Sequence, residues 1–141
     1  MRRTASPNNQ GGDMSNEIRI SIIDDDDQSR AALTGLMQAM GFDVASFPSA
    51  ADFLATPNFC HASCLIVDVH MPQMTGVELH SFLTGSGYDL PTILITAYPD
   101  DSARVQALRQ GVVCYLAKPI YDEDLLGCVQ SALQRSKPVN I

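Results

Sequence analysis

The fold is decided by the stretch Leu65-Ile66-Val67-Asp68, a continuous apolar run that ends in a carboxylate. Such a run is typical of a central strand in a parallel sheet, which is buried on both faces. The stretch Thr92-Ile93-Leu94-Ile95-Thr96 is of the same type, and residues 18–24 form a third β-rich run. Helical patterns follow these runs, and the alternation predicts a parallel sheet built from βαβ units.

The same alternation can be followed outward through five repeats between Ile18 and Leu133. The predicted strands cover residues 18–24, 42–47, 65–68, 92–96 and 112–117. The predicted helices are one ending at Gly41, others over 49–55, 75–83 and 101–110, and a last one from about Asp122. The last helix has its apolar residues on one stripe, namely Leu125, Leu126, Val129, Ala132 and Leu133. The predicted fold is α/β, a doubly wound five-stranded parallel (βα)5 sheet with strand order 2-1-3-4-5.

Length and charge restrict the function classes. The chain has 141 residues, of which 45% are hydrophobic, and this fits one soluble globular domain. No stretch reaches the roughly 18 apolar residues of a membrane-spanning helix. Between Ile18 and Gln134 there are fourteen acidic and five basic residues, so direct binding of nucleic acid by this domain is not expected. Lys118 is the only lysine in that segment.

The two ends of the chain lack the pattern of the domain. Residues 1–16 are polar and contain no apolar signal region, so we expect a disordered tail on a cytoplasmic protein. Residues 17–136 are the predicted domain, and residues 137–141 are a C-terminal tail or the stub of a linker.

The cysteines and His61 are expected to be structural rather than metal-binding. The apolar content makes disulfide staples unnecessary, so all four cysteines are predicted to be reduced core residues. A zinc site at Cys60, His61 and Cys64 lacks a fourth ligand and the usual spacing. His80 is expected to be a solvated helix residue.

Reactive side chains follow the predicted strands. The first predicted strand ends at Asp24 and Asp25 and the third ends at Asp68. The fourth ends at Thr96 and the fifth at Lys118. Ligands of doubly wound sheets bind at this edge. Neighbouring aspartates repel unless a cation offsets their charge, and Mg²⁺ prefers such oxygen ligands. We expect direct ligation by Asp25 and Asp68, with Asp24 acting through water.

This set of groups is also suited to phosphoryl transfer. A carboxylate beside Mg²⁺, an ammonium and a hydroxyl can position and neutralise a transferring phosphoryl group. An aspartate nucleophile would then become an aspartyl phosphate. A flavin phosphate would be repelled by the four aspartates at 24–27, and a haloacid dehalogenase-like phosphatase would need an aspartate where the sequence has His70.

From Ile18 to Leu133 the chain resembles the receiver domain of two-component response regulators. The resemblance is carried by residues 22–26 (IIDDD), 67–76 (VDVHMPQMTG), 95–97 (ITA) and 116–119 (LAKP). It implies a flavodoxin-like fold, phosphorylation of Asp68, a phosphate-sensing hydroxyl on Thr96 and a phosphate-binding ammonium on Lys118. The implied Mg²⁺ ligands are Asp24, Asp25, Asp68 and the backbone carbonyl of His70, and a cis Lys118-Pro119 bond is also implied.

The resemblance further implies a switch that is not an enzyme. A sensor histidine kinase or a phosphotransfer protein would supply the phosphoryl group. Thr96 and Tyr115 would transmit the change to the surface of helix four, strand five and helix five, where a partner or a second copy could bind. His70 and Tyr98 would lie over the phosphoryl group, and we expect them to shield it from water.

Two questions stay open from the sequence. The chain could be an interaction module that kept the fold and signals without phosphorylation, although the complete set of site residues argues against this. It could also be a stand-alone receiver, or one cut from a longer regulator whose DNA-binding domain began after Pro138.

Overall fold

The computed structural model describes residues 18–136 and contains an alternating series of five strands and five helices. The strands are β1 (Arg19–Ile23), β2 (Asp43–Phe47), β3 (Cys64–Asp68), β4 (Thr92–Thr96) and β5 (Cys114–Ala117). The helices are α1 (Asp27–Ala39), α2 (Ala50–Ala55), α3 (Gly76–Gly85), α4 (Asp101–Arg109) and α5 (Asp122–Ser136). A 3-10 turn at Phe59–His61 was not predicted. The tails predicted at 1–16 and 137–141 lie outside the described residues.

All strand pairs are parallel, and their order is β2-β1-β3-β4-β5, which confirms the predicted topology. The register places Asp68 opposite Ile95 and Thr96 opposite Ala117. The carboxyl ends of β3, β4 and β5 therefore lie at one edge of the sheet. No helix among residues 18–136 is long and apolar enough to cross a membrane.

The sheet separates two apolar cores, because successive side chains of a strand point to opposite faces. On β3, Leu65 and Val67 belong to the core with α2, α3 and α4, while Cys64 and Ile66 belong to the core with α1 and α5. Every residue of β3 is buried, as predicted for a central strand. Helices thus cover both faces.

Several helices begin with a side-chain cap that satisfies free backbone N–H groups. Asp26 accepts hydrogen bonds from Gln28 and Ser29 at the start of α1, and Asp100 accepts one from Ala103 at the start of α4. Part of the acidic excess therefore fixes helix starts.

The structure corrects two expectations about single residues. His80 is only 7% exposed, because it lies one turn from both Gly76 and Leu83 on the buried stripe of α3. Cys114 and Cys128 are joined by a disulfide, so the prediction of four reduced cysteines is wrong. The packing of α5 on β5 places these two sulfurs together, although their separation of 14 residues carries no such signal.

Candidate functional site

Three carboxylates meet at the carboxyl edge of the sheet. Asp24 and Asp25 follow β1, and Asp68 is the last residue of β3. One oxygen from each lies within 4.8 Å of the others, and Asp24 and Asp68 are buried while Asp25 is exposed. The parallel register accounts for this, since it brings the ends of neighbouring strands together.

The ammonium of Lys118 lies between the two buried carboxylates. Its Nζ donates to Oδ2 of Asp24 at 3.2 Å and to Oδ2 of Asp68 at 3.4 Å. Burial lowers the pKa of Lys118, but the two carboxylates outweigh this effect and raise its pKa above the ordinary value. Lys118 is therefore a fixed positive charge in the site. The Lys118-Pro119 bond is cis.

Asp68 is held in an environment that disfavours its charged form. Burial and the neighbouring Asp24 carboxylate raise the pKa of Asp68 to about 6, and the His70 N–H and the Lys118 ammonium offset this only in part. The His70 N–H donates to Oδ1 of Asp68 at 3.2 Å. A cation beside these oxygens would favour the ionised carboxylate, which is the nucleophilic form.

Asp24 is oriented by the chain that follows it. Its Oδ1 accepts a hydrogen bond from the Asp26 N–H at 2.9 Å. Arg30 donates to the Asp24 backbone carbonyl at 2.7 Å and pairs with Asp27 at 2.6 Å. Arg30 is the only base between Asp24 and Asp43, but its contact with the Asp24 carbonyl depends on the path of the chain from β1 into α1 and was not predicted.

Thr96 and Tyr115 both hold the loop between β4 and α4, residues 97–100. Thr96 is buried, and its Oγ1 accepts a hydrogen bond from the Tyr98 N–H at 2.9 Å. Tyr115 is half-buried on β5, and its hydroxyl accepts one from the Asp100 N–H at 3.3 Å. A displacement of Thr96 would therefore be felt at the far end of the same loop.

Two aromatic side chains connect the loops after β3 and β4. The rings of His70 and Tyr98 meet edge to face, with centroids 5.4 Å apart and an interplanar angle of 82°. Tyr98 is 72% exposed, and the contact with His70 helps to hold its ring in place at the surface.

Gly76 permits a close approach that no other residue allows. A Cβ at this position would lie 2.6 Å from the backbone oxygen of Asp68, which cannot move without displacing the site. The Gly76 N–H also donates to the Val69 carbonyl at 3.0 Å. This role of Gly76 was not predicted. Its sequence signal is a glycine directly after Thr75, whose side chain caps α3 by accepting a hydrogen bond from the Glu78 N–H.

The donor set fits Mg²⁺. Carboxylate oxygens are the ligands that this ion prefers, and Asp24, Asp25 and Asp68 form the one cluster of at least three potential metal-ligating side chains found within residues 18–136. A zinc site at Cys60, His61 and Cys64 was not favoured by the sequence, and burial raises the pKa of Cys64 to about 12, which disfavours a thiolate ligand.

A doubly wound sheet with three carboxylates, a hydroxyl and a lysine at its strand ends defines a receiver. Residues 20–130 match the family model described as the response regulator receiver domain, and the chain belongs to this family.

The comparisons with individual proteins agree. The transcriptional regulatory protein TdiR of Thauera aromatica is 36% identical over 118 residues, which are 84% of this chain and 52% of TdiR. The response regulator protein TodT of Pseudomonas putida is 37% identical over 115 residues, 82% of this chain and 51% of TodT. The chain thus spans about half the length of these relatives.

Solved structures agree as well. The crystal structure of FixJ-N is 29% identical and has a TM-score of 0.78, covering 89% of this chain and all of that chain. The response regulator StyR is 32% identical with a TM-score of 0.78, covering 85% of this chain and 61% of StyR. The flavodoxin-like architecture of the receiver family is confirmed.

Proposed function

We propose that the chain is a phospho-accepting switch in which Asp68 takes a phosphoryl group from a phosphohistidine. The donor would be a sensor histidine kinase or a phosphotransfer protein. One observation carries this proposal: the Lys118 ammonium lies within 3.4 Å of both buried carboxylates, Asp24 and Asp68. An ammonium held beside a strand-end carboxylate can neutralise the charge of a phosphoryl group that is being transferred to that carboxylate.

Each site residue has a defined task in this transfer. An oxygen of Asp68 attacks phosphorus, the bond to the donor's imidazole nitrogen breaks, and the neutral histidine leaves after taking up a proton. Lys118 and Thr96 bind oxygens of the transferring group, and Lys118 exchanges part of its contact with Asp68 for a phosphoryl oxygen. Bound Mg²⁺ would supply charge neutralisation, held by Asp25, Asp68 and the His70 carbonyl, with Asp24 acting through water.

The loop at residues 97–100 carries the signal away from the site. Phosphorylation draws the Thr96 hydroxyl toward the new dianion, which competes with its hydrogen bond from the Tyr98 N–H. The same loop bonds Tyr115 through Asp100, so Tyr115 and the surface of α4, β5 and α5 change together. This surface would bind a partner, an output domain or a second copy of the chain.

The phosphorylated state is proposed to be persistent. His70 and Tyr98 are each two residues beyond a site residue, and their rings pack against each other. A water that attacks the phosphoryl group would have to pass this pair.

The proposed function also implies a cellular location and a kind of partner for the domain. The domain acts in the cytoplasm as a phosphoacceptor, and it has no separate substrate to convert. It does not bind nucleic acid directly, because acidic residues outnumber bases in its sequence by fourteen to five between Ile18 and Gln134. The 118 matched residues are only 52% of TdiR, a relative named as a transcriptional regulatory protein, and this favours a DNA-binding partner domain over a stand-alone receiver.

Incubation with a small phosphodonor and Mg²⁺, followed by intact mass measurement, tests the proposal. We expect the gain of one phosphoryl group, and none when a chelator replaces Mg²⁺. A folded chain that gains no mass would refute the proposal and favour the second candidate, a module of the same fold that signals without phosphorylation.

A further inference from the structure

The disulfide between Cys114 and Cys128 joins β5 to α5. The two Cα atoms are 6.0 Å apart, and Cys114 is half-buried while Cys128 is buried. The other two cysteines are free thiols. Burial raises the pKa of Cys64 to about 12, so its thiol is a poor nucleophile. The linked pair is therefore chemically distinct from Cys64.

The cross-link encloses residues of the proposed signalling route. The segment between Cys114 and Cys128 contains both Tyr115 and Lys118. Cys114 packs in the core with α5, whereas the next side chain, Tyr115, packs in the opposite core. The disulfide thus ties the strand that carries Tyr115 to the helix beyond Lys118, and it limits how far β5 and α5 can separate.

The fold does not need this staple for its stability. Two extended apolar cores cover the faces of the sheet, and disulfides are a necessity mainly in small domains that lack such cores. In the reducing cytoplasm, where we place the chain, a disulfide is usually transient and redox-sensing.

We propose that Cys114 and Cys128 form a reversible dithiol–disulfide switch that restrains β5 and α5 when oxidised. The oxidant is a low-molecular-weight disulfide such as oxidised glutathione. The thiolate of Cys114, the more exposed of the two, attacks one sulfur of that molecule and releases one thiol. The thiol of Cys128 then attacks the mixed disulfide and releases a second thiol, so two protein thiols are oxidised and one disulfide is reduced.

The regulatory consequence rests on the proposed function. The oxidised chain keeps Asp68, Lys118 and Thr96 in place and still accepts a phosphoryl group. The tie between β5 and α5 opposes the rearrangement that phosphorylation would drive on their outer surface. In the oxidised chain, phosphorylation of Asp68 therefore produces a smaller change at the outer surface of β5 and α5.

Thiol counting tests the chemistry. The chain is treated with oxidised glutathione or with dithiothreitol, then alkylated under denaturing conditions and weighed. We expect two alkyl groups after oxidation and four after reduction, with peptide mapping that assigns the protected pair to Cys114 and Cys128. Four alkyl groups after oxidation, two after reduction, or a different pair would each overturn the proposal.

Thermal unfolding tests the restraint. The oxidised chain should unfold at least about 5 °C above the reduced chain, because the cross-link reduces the entropy of the unfolded state. Cys114→Ser should abolish this redox difference, and Cys60→Ser should retain it. Equal midpoints for the two redox forms of the wild-type chain would overturn the proposal without recourse to any variant.

Amide hydrogen exchange tests the consequence for signalling. Both redox forms are treated with phosphodonor and Mg²⁺, and their mass gain is recorded before exchange. We expect equal gain, with a phosphorylation-induced change in α5 that is smaller by about half or more in the oxidised form. An equal change in both forms would overturn the regulatory role. If neither form gains mass, the proposed function fails, while thiol counting and unfolding still decide the redox proposal.

Discussion

Lys118 shows how a residue's position gives a common side chain a special task. It is the only lysine between Ile18 and Gln134, and the sheet brings it to two buried carboxylates. The sequence predicted this meeting from the strand ends alone. It did not predict Arg30 on the Asp24 carbonyl, because that contact depends on how α1 leaves the strand.

Gly76 should not tolerate a side chain. In Gly76→Ala the new Cβ would meet the Asp68 backbone oxygen at 2.6 Å, so we expect a loss of about 2 kcal/mol or more in the free energy of unfolding. Gly35→Ala is the matched control, because a Cβ there meets nothing within 4 Å and should stabilise α1 by about 0.5–1 kcal/mol. Urea denaturation measures both, and a neutral Gly76→Ala variant would show that the helix can shift.

Tyr98 should lengthen the life of the phosphorylated state. We expect Tyr98→Ala to raise the rate of phosphate loss by about threefold or more, because it removes the ring that packs on His70 and lets water approach. Decay of the phosphorylated mass over time measures this rate. Tyr121→Ala removes another exposed tyrosine and should leave the rate unchanged. A rate that falls in Tyr98→Ala would contradict shielding.

At the scale of elements, the positions of the strands were easier to predict than the burial and the contacts of individual helix residues. Once five strand-helix repeats are present in the sequence, the apolar runs of β3 and β4 are readily assigned to central strands of a parallel sheet. His80 was misjudged because its polarity outweighed its place on the stripe of Gly76 and Leu83. The Cys114–Cys128 link was missed because the sequence does not specify how α5 packs on β5.

The buried histidine of α3 should make stability depend on pH. Burial lowers the pKa of His80, the Arg135 guanidinium lowers it further, and Asp89 offsets this in part. In the unfolded chain the value returns to about 6.5, so the unfolded state binds more protons and stability falls as pH drops below that value.

His80→Gln should weaken this dependence. We expect the variant to lose less free energy of unfolding than the wild type between pH 7 and pH 5, as measured by urea denaturation at each pH. Above pH 7 the two curves should run parallel, because His80 is then neutral in both states. Identical slopes below pH 6.5 would show that His80 does not contribute.

At the scale of the whole molecule, the excess acidic residues have several structural roles. Some carboxylates cap helices, as Asp26 and Asp100 do, and three gather at one edge of the sheet. The net charge of −7 alone would describe many proteins. Its distribution over parallel strand ends makes the prediction specific, because topology converts distant sequence positions into one site.

The central claim is that Asp68 is the residue that accepts the phosphoryl group. Intact mass and peptide mapping should be compared after phosphodonor and Mg²⁺ treatment of the wild type, Asp68→Asn and Asp52→Asn, the last of which removes an exposed carboxylate on α2. We predict one phosphoryl group on the wild type and on Asp52→Asn, and none on Asp68→Asn. Equal phosphorylation of a folded Asp68→Asn variant would contradict the claim.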